Sequence, residues 1–177
     1  LEKYKNKLPS RNYKTPMSSF EQLPFLERDK AQETKEYKAI VGEIGWITNV
    51  RLALRNAGRA LAQHASAHNE LHFNAAYRVL AYVRDNPDTG LVLRAVPKGE
   101  KVKLVAYSDS SWADCASTRL SCSGMVFRIG DSTFDTRSKT QRTISQSSME
   151  AELSALSSTT RAVVHLRKML ESMHAEQ

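Results

Sequence analysis

Two acids in this chain occupy settings in which carboxylates do chemistry. Asp109 ends a strand-like run, Lys103-Leu104-Val105-Ala106-Tyr107-Ser108-Asp109, and Glu152 lies in the first turns of a helix-like run that opens at Ser147. An acid at a strand end and an acid on the following helix can meet over one sheet edge and share a metal ion, as in metal-dependent hydrolysis. Glu152 also borders an apolar stripe, and a partly buried carboxylate needs a compensating partner. Each acid has a plain alternative when taken alone. Asp109 can open a turn, and Glu152 can simply favour the helix N-terminus.

Other residue types offer less. Ser108, Ser110, Ser111 and Ser121 suit turns, and a nucleophilic serine needs a positioned base that the sequence does not display. His64, His68 and His72 share one helix face at four-residue spacing. No carboxylate or cysteine completes a ligand set with them, so they read as surface or packing histidines. Cys115 and Cys122 lack CxxC spacing, which argues against zinc and for a reduced, intracellular protein. No apolar run reaches transmembrane length and the first residues do not form a secretory signal, so no membrane partner is expected. The net charge of +7 favours anionic partners such as nucleic acid.

The elements that must position the acids follow from periodicity. Residues 1–34 read as an irregular basic N-terminal arm, with Lys3, Lys5, Lys7, Arg11 and Lys14 before Pro16 and Pro24. Residues 35–89 read as a helical region. Tyr37, Ile40, Val41, Ile44 and Ile47 recur at helical spacing, then Leu52, Leu54, Ala57, Ala60 and Leu61, then Phe73, Ala76, Tyr77, Leu80 and Val83. Gly45 and Gly58 inside these runs predict close helix contacts. After the Asn86-Pro87-Asp88-Thr89-Gly90 turn, residues 90–177 change to period two. Strands are predicted at Leu91–Val96, Val102–Ser108, Ser123–Ile129 and Thr133–Arg137, the last two as a hairpin about Gly130-Asp131. A long helix follows, with Ser147 and Glu150 as a capping box and Leu153, Leu156, Val163, Leu166, Leu170 and Met173 as its apolar stripe.

Two blocks then carry a resemblance. Tyr107-Ser108-Asp109-Ser110-Ser111-Trp112-Ala113, with Arg119 and Ser121-Cys122-Ser123-Gly124-Met125-Val126-Phe127, resembles the start of the ribonuclease H domain of copia-type retrotransposon polyproteins. Arg137-Ser138-Lys139-Thr140-Gln141 and Ser147-Ser148-Met149-Glu150-Ala151-Glu152-Leu153 resemble its continuation. Upstream, Tyr37-Lys38-Ala39-Ile40-Val41-Gly42 and His72-Phe73-Asn74-Ala75-Ala76-Tyr77 are similar to the thumb or connection region before that domain. The fold so implied is α+β: a small helical bundle, then an incomplete ribonuclease H-like mixed sheet with one long packed helix.

The resemblance implies a segment of a reverse transcriptase/ribonuclease H that, when complete, hydrolyses the RNA strand of RNA–DNA hybrids with Mg²⁺. Asp109 and Glu152 correspond to two of its metal-binding acids, with Glu150 a lesser candidate that reads first as a helix cap. Arg119, Arg137, Lys139 and Arg142 are candidate phosphate contacts. The third and fourth family acids lie beyond the matching blocks. This chain alone is therefore expected to be inactive, with an open edge along Val102–Asp109 that another chain or further segment covers. The alternative is a non-catalytic, domesticated ribonuclease H-like subunit of a larger assembly.

Overall fold

A computed structural model describes residues 1–18, 23–26, 34–115 and 117–175. The chain divides into two compact units, Leu1–Gly90 and Leu91–Gln177. No helix of the described residues is long and apolar enough to cross a membrane.

The first unit is helical. Helix α1 spans Lys35–Ile47, α2 Arg55–Ala62 and α3 Glu70–Asp85, with a 3₁₀ turn at Leu52–Leu54 where the sequence predicts α-helix. Tyr37, Ile40, Ile44, Leu54, Leu61, Ala76, Val79 and Leu80 form its buried centre. The expected close approach holds at Gly58, where an added Cβ would lie 3.2 Å from the Thr48 Cγ2. It fails at Gly45, where a Cβ would meet nothing within 4 Å because that turn of α1 faces outward.

Polar groups in this unit are largely consumed by the fold. Arg51 closes the C-terminus of α3 by donating to the carbonyl oxygens of Asn86 at 2.7 Å and Pro87 at 2.9 Å. Those carbonyls have no partner within the helix, and a guanidinium also suits the negative end of the helix dipole. The lead is more integrated than an irregular arm. Tyr4 is buried in the helical core, its hydroxyl donates to Glu43, and Lys7 pairs with Glu36.

The second unit holds strands β1 Leu104–Ser111, β2 Cys122–Ile129 and β3 Ser132–Thr140, and helix α4 Ser148–Ser172. The sheet order is β1-β2-β3 and both pairings are antiparallel. The β2–β3 hairpin turns at Gly130, whose φ of 53° lies in the left-handed region that glycine adopts without a Cβ penalty.

Three expectations need correction here. Leu91–Val96 is not a strand. Its Arg94 N–H donates to the side-chain hydroxyl of Ser132 at 2.7 Å, and Val92 and Leu93 are exposed. A side-chain bond replaces the ladder, so period-two patterning has no sheet face to satisfy. The α4 stripe is rotated from its predicted place. Ala151, Ala155 and Thr159 are buried, whereas Leu153 is 57% and Leu156 52% exposed. Small residues allow the helix to settle closely on the sheet; the leucines flank that contact. The capping box is half formed. The Ser147 hydroxyl accepts from Glu150 N–H, but the Glu150 carboxylate reaches past Ser147 to the Gln146 N–H.

Candidate metal and nucleic-acid site

Strand alternation sets the site. Ser110 pairs with Ser123 and Ser108 with Met125, on the sheet face that α4 covers. That face is identified by Gln141, whose side-chain amide donates both to Ser123 Oγ at 3.0 Å and to the Ala151 carbonyl at 2.9 Å. Its Oε1 accepts from the Ser145 hydroxyl, so one buried amide ties β2 to the start of α4 and to the loop between β3 and α4. Asp109 falls between these positions, exposed like Tyr107 and Ser111.

Glu152 reaches the same strand from the helix. Its Oε1 accepts from the Ser110 N–H at 3.0 Å, so its carboxylate is held one residue from Asp109. That N–H points away from β2, because residues along an antiparallel edge alternate between facing the partner and facing outward. Glu152 therefore sits at the unpaired edge of β1. The adjacent Ser110 hydroxyl is buried without a hydrogen-bond partner. Glu150 is exposed and engaged as a cap by Gln146.

The donor set suits a hard cation. Mg²⁺ keeps several waters and is commonly held by one or two carboxylates together with substrate phosphates. Asp109 and Glu152 provide such oxygens; among the described residues no group of three or more His, Cys, Asp or Glu side chains is placed to hold a metal. Trp112 packs beside this edge, donating its indole N–H to the Ser145 carbonyl at 3.0 Å.

The four candidate phosphate contacts separate. Arg119 has a φ of 58° and lies over the Trp112 ring, 5.9 Å from its centroid. Arg137, Lys139 and Arg142 instead line one groove between β3 and α4, with Arg161 and His165 on the opposite wall. Arg161 and His165 were missed in the sequence, although Ser154, Ser158, Arg161 and His165 recur at helical spacing. That row is legible as a polar helix face, but not as one facing basic β3 side chains.

The three histidines are packing groups and do not share one helix face: His72 lies on α3, whereas His64 and His68 lie in the link between α2 and α3. His64, His68 and His72 are all buried. His68 stacks on Tyr37 with ring centroids 4.3 Å apart, and His72 lies 4.4 Å from His64. His72 accepts the Asn69 N–H at Nδ1, which leaves Nε2–H to donate to the Pro24 carbonyl. Burial, with a smaller repulsive contribution from His72, lowers the His64 pKa to about 4. Cys115 and Cys122 are buried free thiols.

No protein-family model matches the chain, and no solved structure matches it. Curated proteins do. The retrovirus-related Pol polyprotein from transposon RE2 of Arabidopsis thaliana is 32% identical over 154 residues, covering 87% of this chain and 10% of that protein. The corresponding polyprotein from transposon RE1 is 29% identical over the same share of each. Secreted RxLR effector protein 161 of Plasmopara viticola is 37% identical over 131 residues, covering 73% of this chain and 90% of that protein. The chain thus spans about a tenth of the polyproteins and most of the effector. Together with the ordered blocks around Asp109 and Glu152, these likenesses make the chain a member of the copia-type retrotransposon Pol polyprotein family.

Proposed function

We propose that the second unit is the Mg²⁺-binding first half of a ribonuclease H site, acting on RNA–DNA hybrids within a longer retroelement polymerase. The observation that carries this reading is the Glu152 carboxylate held on the Ser110 N–H, the backbone group next in sequence to Asp109, at the edge of β1. Asp109 and Glu152 would hold the ion. When bound there, Mg²⁺ supplies Lewis-acid activation of water and stabilises the leaving oxygen. Ser110 N–H fixes one Glu152 oxygen, so the other remains available to the ion. The edge of β1 takes a further strand, from the same polypeptide or another chain, which contributes the remaining acids. The exposed Met149, Leu153 and Leu156 row lies on the Glu152 flank of α4, where such a strand would bury it.

The test is a Mg²⁺ titration of the chain followed by amide NMR. Shifts at Asp109 and Ser110 should saturate, and Asp109→Asn should abolish them. Cleavage of a labelled hybrid by this chain alone should be weak or absent. Amides that ignore millimolar Mg²⁺ would overturn the proposal. A second reading, a non-catalytic descendant that works in a larger assembly, is favoured by the match over 90% of the length of the effector relative. It requires a folded chain that binds no Mg²⁺ at these acids and cuts no hybrid.

A further inference from the structure

Helix α4 rests on the sheet through small side chains: Ala151, Ala155 and Thr159 are the residues it buries. Such a contact brings the helix close, but apolar burial is non-directional and fixes neither its rotation nor its height. Both matter for Glu152. A slip of one residue moves a helical side chain about 100° round the axis and about 1.5 Å along it. Either displacement would take the carboxylate off the Ser110 N–H, from which it accepts at 3.0 Å. Ser147, Ser148, Met149 and Glu150 are exposed, so they do not seat the helix.

Gln141 supplies the missing direction. Its Nε2 carries two protons and both are used, one toward Ser123 Oγ on β2 and one toward the carbonyl of Ala151, the residue before Glu152. Its Oε1 accepts from the Ser145 hydroxyl, so each polar atom of the buried amide has a partner. The Gln141 backbone is held in turn, its N–H donating to the Ser121 carbonyl at 2.8 Å, while Ser121 Oγ accepts from the Ala113 N–H at 3.1 Å. This network joins the chain just past β1 to β2, the end of β3 and the first turn of α4. We infer that Gln141 is a positioning residue for the metal site: its bond to the Ala151 carbonyl sets the register of α4 that brings Glu152 to the edge of β1. Its side chain bonds to neither acid and acts through the helix backbone. The expected effect on metal affinity rests on the reading of Asp109 and Glu152 as ligands of the ion; the placement of Glu152 does not.

The experiment is amide hydrogen exchange of the full chain by NMR without metal, followed by a Mg²⁺ titration. The Ser110 N–H points away from β2 and has the Glu152 carboxylate as its acceptor, so its exchange reads the position of that carboxylate. Gln141→Met keeps the bulk of the side chain and removes its hydrogen bonds. Ser110 should then exchange about tenfold or more faster relative to the amides of the β2–β3 ladder, as it should in Glu152→Ala. Mg²⁺ affinity should weaken about tenfold or more. Where Gln141→Met fails to fold, Gln141→Glu, similar in shape but able only to accept, loses the same bond to Ala151 and should give the same result. Phe127→Leu, a buried substitution four residues along β2 from Ser123, should lower thermal melting yet leave the relative protection of Ser110, which separates positioning from general stability. Retained protection of Ser110 in the Gln141 variants would overturn the inference, as would its equal loss in Phe127→Leu or an Mg²⁺ affinity unmoved by its loss. If the parent's amides ignore Mg²⁺, the metal-site reading falls, and exchange at Ser110 still decides whether Gln141 places Glu152.

Discussion

The two units treat their polar side chains in opposite ways. In Leu1–Gly90 the polar groups finish the fold: Asn69 and His72 cap α3, Arg51 closes it, and the histidines fill the core. In Leu91–Gln177 one buried amide, Gln141, organises the interior, while acids, arginines and leucines stand at the surface. Both units nonetheless bury polar atoms without a hydrogen bond, His64 Nδ1 and His68 Nδ1 in the first and the Ser110 hydroxyl in the second. The second differs in presenting Asp109, Leu153 and Arg161 at the surface beside α4. A residue's type alone does not tell which regime it belongs to.

The largest expected contrast tests burial directly. Ile44→Ala removes a side chain with no exposure and should cost about 2–5 kcal/mol in urea unfolding monitored at the helical unit. Leu153→Ala, on a predicted core stripe, should change stability by less than about 0.5 kcal/mol. A loss of several kcal/mol at Leu153 would restore that stripe and place α4 differently on the sheet.

Acid should then separate the units. The folded His64 pKa is about 4, below the ordinary value of 6.5. Above that ordinary value both states are neutral and the group contributes no pH dependence. As pH falls below it, the unfolded chain takes up the proton and the folded chain does not, so stability declines until the folded pKa is reached. The expected loss between pH 6.5 and 4 is about 3 kcal/mol. Hydrogen exchange at Tyr37 and Ile40 should accelerate over this range, and His64→Leu should flatten the profile. A profile unchanged by that substitution would remove His64 as the cause.

Glycine gives the smallest contrast, within a single unit. Gly45→Ala should stabilise by about 0.5–1 kcal/mol, because an exposed helical glycine costs backbone entropy and nothing crowds its Cβ. Gly58→Ala should not stabilise, since its Cβ would press on Thr48. Thermal melting of the two variants distinguishes them.

Much of the architecture is legible in the sequence. The helices of the first unit follow from their apolar spacing, and Ala76, Tyr77, Leu80 and Val83 of the predicted third run are all buried on α3. The hairpin was legible from Gly130-Asp131, because turn geometry is a local matter. Leu91–Val96 was misread because its alternation is real but lacks a partner strand. The α4 stripe was misread for a related reason: hydrophobicity marks what can be buried, while small residues mark where the helix can approach.

The sequence by itself determined the family blocks, the two acids and the local elements, since these depend on residue type and short spacing. Only the tertiary structure decided that Glu152 reaches the backbone next to Asp109, that Gln141 joins β2 to α4, and that Arg161 and His165 face Arg137 and Lys139. These relations link residues distant along the chain, and the rotation of α4 on the sheet fixes them. That rotation is set by the packing of Ala151, Ala155 and Thr159 on the sheet, which hydrophobicity alone does not reveal.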